Sequence, residues 1–312
     1  MILRLCLFLV SILSFGAVLA NNANNSTRAD SPKAPFDQTQ IILNRVTSKN
    51  IPSRIQEFSD LFLSLPYIKD PLGEGPYGRY DQDPRFRFDG FDCTTFVETV
   101  SSLALSTSKS EFIRTMDGIR YRDGVVAFQT RNHFTDLDWI PNNIHSGFVV
   151  ELTTELFPDL YKTARTTIDK PQWYRMLGLD RIHNFDVSSE ILIEELHRMG
   201  SQFRPLLSTI NFVPIDSLVS QIDLIDRIPN GSIINFVRAD WNLKKYIGTN
   251  MNVSHQGFAI RKADGILYFR HASSELKRVT EEPLSFYLQR MSAIKSISGI
   301  NIIQVKNDRP IM

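Results

Sequence analysis

Three residues of this chain have the types and the order that thiol acyl transfer requires: Cys93, His255 and His271. Cleaving an amide with a thiol takes a thiolate, an imidazole that holds its proton and later protonates the leaving amine, and a polar group that fixes the imidazole tautomer. Cys93 stands in Gly90-Phe91-Asp92-Cys93-Thr94-Thr95-Phe96-Val97, where Asp92 is of N-cap type. Phe96, Val97, Val100, Leu103 and Ala104 follow at helical spacing, so a helix opens at Cys93 and turns it toward the packed side. A thiol in a first turn sits beside the partial positive charge of the helix end, which favours thiolate and pulls the pKa below its free value of about 8.5. A lone cysteine is also often a small buried hydrophobe. What accompanies Cys93 decides between the two.

Ser254-His255-Gln256-Gly257-Phe258-Ala259-Ile260 reads as a strand, Ala263-Asp264-Gly265 as a tight turn, and Ile266 to His271 as the next strand. As antiparallel neighbours these strands place His255 and His271 at the ends remote from the turn, where they meet above one edge of the sheet. Alternation puts His255, Gly257 and Ala259 on one face. That face is narrow, so the Cys93 helix is expected to pack over the Gly257 and Ala259 stripe and bring the thiol to His255. Taken singly, His255 reads equally as a core histidine and His271 as a strand-end surface residue. An oxyanion would take the backbone N–H of Cys93 and one further donor, with Tyr77 or Tyr80 as candidates.

The elements around these residues follow from the same patterning. Helices are expected over Gln38 to Ser48 and Ser53 to Leu65, the second ended by Pro66, and another from Ser108-Lys109-Ser110-Glu111 with capping-box spacing. Pro71 to Asp89, rich in Gly, Pro and aromatics, reads as an ordered loop leading into the Cys93 helix. Val125 to Gln202 mixes strand-like runs such as Phe148-Val149-Val150 with helical ones such as Glu190 to Met199. Pro229-Asn230-Gly231 is a turn before the run Ile233 to Val237, and Ile300 to Val305 supplies a last strand.

Met1 to Ala20 carries Arg4 and an apolar run, and reads as a secretory signal peptide cut after Ala20. The run is shorter than the about 20 apolar residues a spanning helix needs, so no membrane anchor is expected after cleavage. Cys6 leaves with the signal and Cys93 is the one thiol that remains, placed by this reading in the periplasm or outside the cell. Residues 21–35 form a polar leader, and 36–312 read as one catalytic domain with an N-terminal helical part (36–90) and an inserted segment (about 120–225). The 42% hydrophobic content and net charge of +1 fit an ordinary globular protein and give no nucleic-acid surface.

The order Cys, His, His resembles the NlpC-type cysteine peptidases and amidases, a papain-like group that cuts bacterial cell-wall peptides. Asp92-Cys93-Thr94-Thr95-Phe96-Val97 is similar to that family's Asp-Cys-Ser-Gly-Phe-Val element, with Thr95 where glycine is usual. Pro229-Asn230-Gly231-Ser232-Ile233-Ile234 resembles its Pro-Gly-Asp-Leu strand opening, with Ser232 replacing Asp. Ser254-His255-Gln256-Gly257-Phe258 and Arg270-His271-Ala272 resemble its two histidine strands. These departures, and the long stretch between Cys93 and His255, resemble better a branch first described as a domain of unknown function and then given N-acetylmuramoyl-L-alanine amidase activity. Arg131-Asn132-His133-Phe134 through Trp139-Ile140-Pro141-Asn142-Asn143 looks like that branch's Arg-x-His-aromatic segment.

The resemblance implies an α+β papain-like fold, with the cysteine helix packed on an antiparallel sheet, additional N-terminal helices and a large insertion. It implies hydrolysis of the amide between N-acetylmuramic acid and L-alanine through an acyl-enzyme on Cys93, with no cofactor. Arg131, His133, Trp139, Asn143, Asp92 and Tyr80 would bind the peptidoglycan or muropeptide substrate. An aromatic-polar loop folded onto the core is the other reading of the Arg131 segment. Alternative functions are an endopeptidase cutting between D-glutamate and the diamino acid, and a non-catalytic cell-wall binding protein on the same scaffold. Zinc hydrolysis is the rival mechanism, but His133, His145, His183 and His197 show no His-Glu-x-x-His or similar spacing, so no metal is expected.

Overall fold

Four helices open the part of the chain that this computed structural model describes, residues 36–306. The signal-peptide and leader readings, with Cys6, lie outside the described residues. The helices are α1 (Phe36–Leu43), α2 (Ile51–Leu61), α3 (Cys93–Ala104) and α4 (Lys109–Arg120). α2 starts where the Asn50 side chain accepts from the Ser53 N–H, with Pro52 in the first turn, where a missing N–H costs nothing. It stops at Leu61, short of the expected Leu65. The next residues leave the helix to hydrogen-bond elsewhere: Ser64 takes a left-handed φ of 70° and its N–H donates to the Val279 carbonyl, while the Val279 N–H donates to Leu65.

The strands are β1 (Val149–Glu151), β2 (Lys162–Ile168), β3 (Leu206–Pro214), β4 (Ser232–Asn242), β5 (Asn250–Arg261), β6 (Leu267–Ser273), β7 (Arg278–Pro283) and β8 (Gly299–Val305). They form one sheet in the order β2-β3-β8-β4-β5-β6-β7, with β1 also paired to β8, and every pairing is antiparallel. The fold is therefore α+β with an antiparallel sheet. The segment read as an insertion supplies β1, β2 and β3 to this sheet, and also the short helix α5 (Ile140–His145). β2 escapes a hydrophobicity reading because it is half exposed and rich in Thr, and β3 because two of its apolar residues, Leu206 and Leu207, point outward while Ser208 points in.

The central strands are buried on both faces. One face carries Ile233, Phe258, Ile260 and Ile303 against Phe96, Val97 and Val100 of α3. The other carries Ile234, Phe236, Ala259, Phe269 and Ile300 against the helix Leu284–Ser292. This corrects the packing expected from the small residues. α3 lies on the Phe258 face, with Phe96 meeting Phe258 edge-on at 5.8 Å, and the Gly257 and Ala259 stripe faces away from it. What fills the space at Gly257 is the Phe269 ring, 2.6 Å from where a Cβ would stand. The glycine admits an aromatic ring, not a helix. Among the described residues no helix is long and apolar enough to cross a membrane.

Candidate active site

Cys93 is the first residue of α3, and the cap that starts the helix is reciprocal. The Thr95 N–H donates to Asp92 Oδ1 at 2.7 Å, and the Asp92 N–H donates to Thr95 Oγ1 at 3.0 Å. A threonine thus plays the returning part usually taken by Glu or Gln. Just upstream, Phe91 pairs with the extended stretch around Tyr67, its N–H donating to Pro66 and its carbonyl accepting from Ile68. Gly90 permits that approach, since a Cβ there would lie 2.4 Å from Ile68 Cδ1. The pairing sets Tyr67 beside the first turn of α3. Burial first, then charge on Cys93 and Asp92, push the Tyr67 phenol pKa up, so this hydroxyl stays a donor.

His255 and His271 meet directly, His255 Nε2 to His271 Nδ1 at 2.6 Å. The strand geometry that aims His255 is irregular. Phe236 pairs with His255 but the next residue, Val237, pairs with Val253, so Ser254 is an extra residue on β5. Val253 and His255 would share a face in a regular strand; the bulge sends them to opposite faces, Val253 into the α3 core and His255 onto the Phe236 side. There the Phe269 ring stacks on His271 at 4.6 Å and stands edge-on to His255 at 5.8 Å. Tyr287 packs edge-on to His271 at 5.2 Å and touches Phe269 at 4.7 Å. Burial lowers the His255 pKa to about 4, and burial with charge on His255 and Arg290 lowers that of His271 to about 2. Both rings are neutral at pH 7, and His271 Nε2 is buried without a hydrogen-bond partner.

Cys93 is half-buried. Its side-chain partner is Thr94 Oγ1 at 4.0 Å, and no hydrogen bond joins it to His255. The backbone N–H groups of Gln256 and Thr94 favour its thiolate. Cys93 also opposes ionisation of Tyr287, the tyrosine packed on His271. The thiol, the histidine pair and the two tyrosines thus share one neighbourhood. Against the lowering expected at the helix end, burial first and then the adjacent Asp92 push the Cys93 pKa up to about 12, with Thr94 and Gln256 lowering it by less. At rest, thiol and imidazole are both neutral.

The residues expected to bind substrate are in part elsewhere in the protein's architecture. Trp139 is 1% exposed and its Nε1–H donates to Glu98 of α3 at 3.2 Å, while Asn143 is fully buried, donating to the Ile119 and Trp139 carbonyls. Arg131 is held by Glu74 and Asp81 and lies over the Phe128 ring. His133 packs on Phe128 and Trp173 with Nε2 on the Phe128 carbonyl at 2.7 Å. These hydrogen bonds, ion pairs and ring contacts tie the four side chains into the fold, with Asn143 Oδ1 left without a hydrogen-bond partner. The segment read as a recognition loop forms a π-helical turn (Thr135–Trp139) leading into α5. Asp92 serves as the cap of α3. Tyr80 is buried against Phe128 and Tyr77 is fully exposed. The tyrosines whose ionisation the Cys93 charge opposes are Tyr67 and Tyr287, and nothing local in the sequence marks those two, because both arrive by long-range packing.

Among the described residues one group has the donors for a metal ion: Asp81, Asp83 and His183. His183 Nδ1 lies 2.6 Å from Asp83 Oδ2, and Asp81 already pairs with Arg131. The group ties the 71–90 loop to the chain around His183 through the Asp81–His183 bridge.

The comparisons with known proteins agree with this architecture. A Legionella pneumophila protein of the family DUF1460 is 34% identical, with a TM-score of 0.84 over 88% of this chain and 96% of that one. An N-acetylmuramoyl-L-alanine amidase from Bacteroides uniformis is 25% identical, with a TM-score of 0.61 over 82% and 99%. A putative xylanase from Bacteroides fragilis is 25% identical, with a TM-score of 0.58 over 79% and 99%. No curated protein matches the chain. The model of the N-acetylmuramoyl-L-alanine amidase-like family matches residues 57–294, which take in Cys93, His255 and His271. The chain belongs to that family, and its function is cell-wall amidase-like.

Proposed function

We propose that this protein is an exported cysteine amidase of papain-like type that hydrolyses the amide between N-acetylmuramic acid and L-alanine in peptidoglycan fragments. The observation that carries the reading is the 2.6 Å contact of His255 with His271 beside a cysteine that opens a helix. Because His255 Nε2 is committed to His271, Nδ1 is the nitrogen left to serve the thiol. A base needs that nitrogen bare, so His255 carries its proton on Nε2 and donates it to His271 Nδ1.

In the reaction the Cys93 proton passes to His255 Nδ1 as Sγ attacks the carbonyl carbon of the lactyl group. The oxyanion is met by the Cys93 N–H, one of the helix-end donors without an intrahelical acceptor, and by the Tyr67 hydroxyl. The imidazolium then protonates the alanine nitrogen, the C–N bond breaks and a thioester remains. Water, deprotonated by His255, attacks the thioester carbon, and Sγ leaves with the proton. A periplasmic or secreted location follows from the signal-peptide reading of Met1 to Ala20.

Product analysis on a defined muropeptide tests the reading. Release of an intact stem peptide supports it, release of a dipeptide identifies the endopeptidase alternative, and unchanged turnover by Cys93→Ala would remove the nucleophile. Activity lost to a thiol alkylator and kept in EDTA separates the thiol route from a metal route.

A further inference from the structure

We infer that Tyr287 is a positioning residue for the histidine pair: the face of its ring receives the Nε2–H of His271 and so fixes which way the proton between the two imidazoles points. Its effect on rate rests on the amidase reading; the proton positions do not.

Two neutral arrangements fit the pair. In one, the His255 Nε2–H donates to His271 Nδ1, His255 Nδ1 is bare, and the His271 proton sits on Nε2. In the other, the His271 Nδ1–H donates to His255 Nε2, His255 Nδ1 carries a proton, and His271 Nε2 is bare. The 2.6 Å separation of His255 Nε2 and His271 Nδ1 serves both equally. Only the first leaves His255 a bare nitrogen for the proton of a thiol. At the opposite end of the pair the two differ at His271 Nε2, which shows an N–H in the first and a lone pair in the second. The surroundings of that atom choose between them.

His271 is 3% exposed, and its Nε2 is buried with no hydrogen-bond partner. A buried N–H that meets nothing costs its whole desolvation. Besides His255, two rings touch His271 among the described residues. Phe269 is stacked on it at 4.6 Å with the planes 20° apart, and a stacked ring cannot receive an N–H that lies in the imidazole plane. Tyr287 stands across it at 5.2 Å with the planes 72° apart, the edge-to-face arrangement in which the positive edge of one ring meets the negative face of another. Such a face accepts an N–H and repels a lone pair. It therefore selects the arrangement with His255 Nδ1 bare. Tyr287 is 5% exposed and wedged between Phe236 at 4.9 Å and Phe269 at 4.7 Å, so its ring keeps this attitude. Arg290, which lies over the same ring at 4.9 Å, donates to both Glu282 oxygens at 2.6 and 2.7 Å and supplies nothing to His271 Nε2.

The test is nuclear magnetic resonance of the whole protein with its histidine ring nitrogens isotopically labelled, at pH 7, where both imidazoles are neutral. Protons are expected on Nε2 of both rings, with the His271 Hε2 resonance moved upfield by the ring current of Tyr287. Tyr287→Phe keeps the ring and should keep both features. Tyr287→Leu should move the ratio of the two arrangements about two- to fivefold toward the one protonated on Nδ1, the range of an N–H···π contact. A wild-type proton on Nδ1 of either ring, a His271 Hε2 without the upfield shift, or a ratio unchanged in Tyr287→Leu overturns the inference. If the Leu variant does not fold, the wild type and Tyr287→Phe decide. Failure of the amidase reading shows differently, as no turnover of a muropeptide by the unaltered protein, and leaves the resonance result standing.

Discussion

Acidification should cost this fold about 3 kcal/mol through His255 alone. Burial holds the His255 pKa at about 4 in the folded protein, whereas in the unfolded chain the ring titrates near 6.5. Between those values the unfolded chain binds a proton that the folded protein refuses, so stability rises with pH across the window. The contribution is fully present above about pH 6.5 and is lost as pH falls through the folded value. About 2.5 pKa units at 1.36 kcal/mol each give about 3 kcal/mol. His271 lies lower still, at about 2, through burial first and then charge on His255; its proton too is bound by the unfolded chain and refused by the fold, a further loss on acidification beyond that of His255. Asp92 works in the other direction, since burial raises its pKa to about 6 and protonation relieves a cost. Comparing variants cancels such background. Urea unfolding at pH 7 and pH 4 should show the wild type losing about 3 kcal/mol more than His255→Gln. An equal loss in both proteins would refute a buried, neutral His255.

Three further outcomes follow. A thiol of pKa about 12 should be alkylated by iodoacetamide about 3,000-fold more slowly at pH 7.5 than a free thiol, with the rate climbing steadily to pH 10; a plateau below pH 8 would mean a preformed thiolate–imidazolium pair. Asp92→Ala removes the acceptor of the Thr95 N–H and should cost about 1 kcal/mol in thermal unfolding, most of it restored in Asp92→Asn. Arg131→Met strands Glu74 and Asp81 and should destabilise by about 3 kcal/mol while leaving KM for a muropeptide unchanged in the folded fraction; a raised KM would return Arg131 to substrate recognition.

What the sequence makes legible here is what is local. The cap and helix at Cys93 are written within a few residues, and the meeting of His255 with His271 needs only a short turn between two strands. What it hides depends on distant segments. A bulge at Ser254 is invisible to an alternation pattern that happens to be right for His255, Gly257 and Ala259, and the pattern cannot say which face α3 covers. Phe269, two residues before His271, claims the space at Gly257 that looked reserved for a helix. Arg131, Trp139 and Asn143 have the composition of a binding loop, and the partners that hold them in the fold, Glu74, Asp81, Glu98 and the Ile119 carbonyl, come from elsewhere in the chain. Tyr67 reaches the thiol through pairing with Phe91.

The neutral state of both thiol and imidazole shifts where the proposed site must stabilise charge. A thiolate formed in advance would need counter-charge at sulfur, and the sulfur has instead a buried setting and Asp92 as its neighbour. Tyr67 and Tyr287, whose ionisation is opposed by Cys93 and by burial, remain protonated donors across the whole working pH range. Donors that stay protonated meet negative charge best where it develops late, on the carbonyl oxygen under attack. In the proposed reaction, proton transfer to His255 then accompanies attack, and the bare Nδ1 is its limiting feature. In that proposal His271 acts on the rate by keeping the other nitrogen occupied. Replacing it with Ala would leave His255 free to turn and to carry its proton on Nδ1, so the loss should fall on kcat with KM little changed, and His271→Asn, which keeps an acceptor for the Nε2–H, should recover part of it.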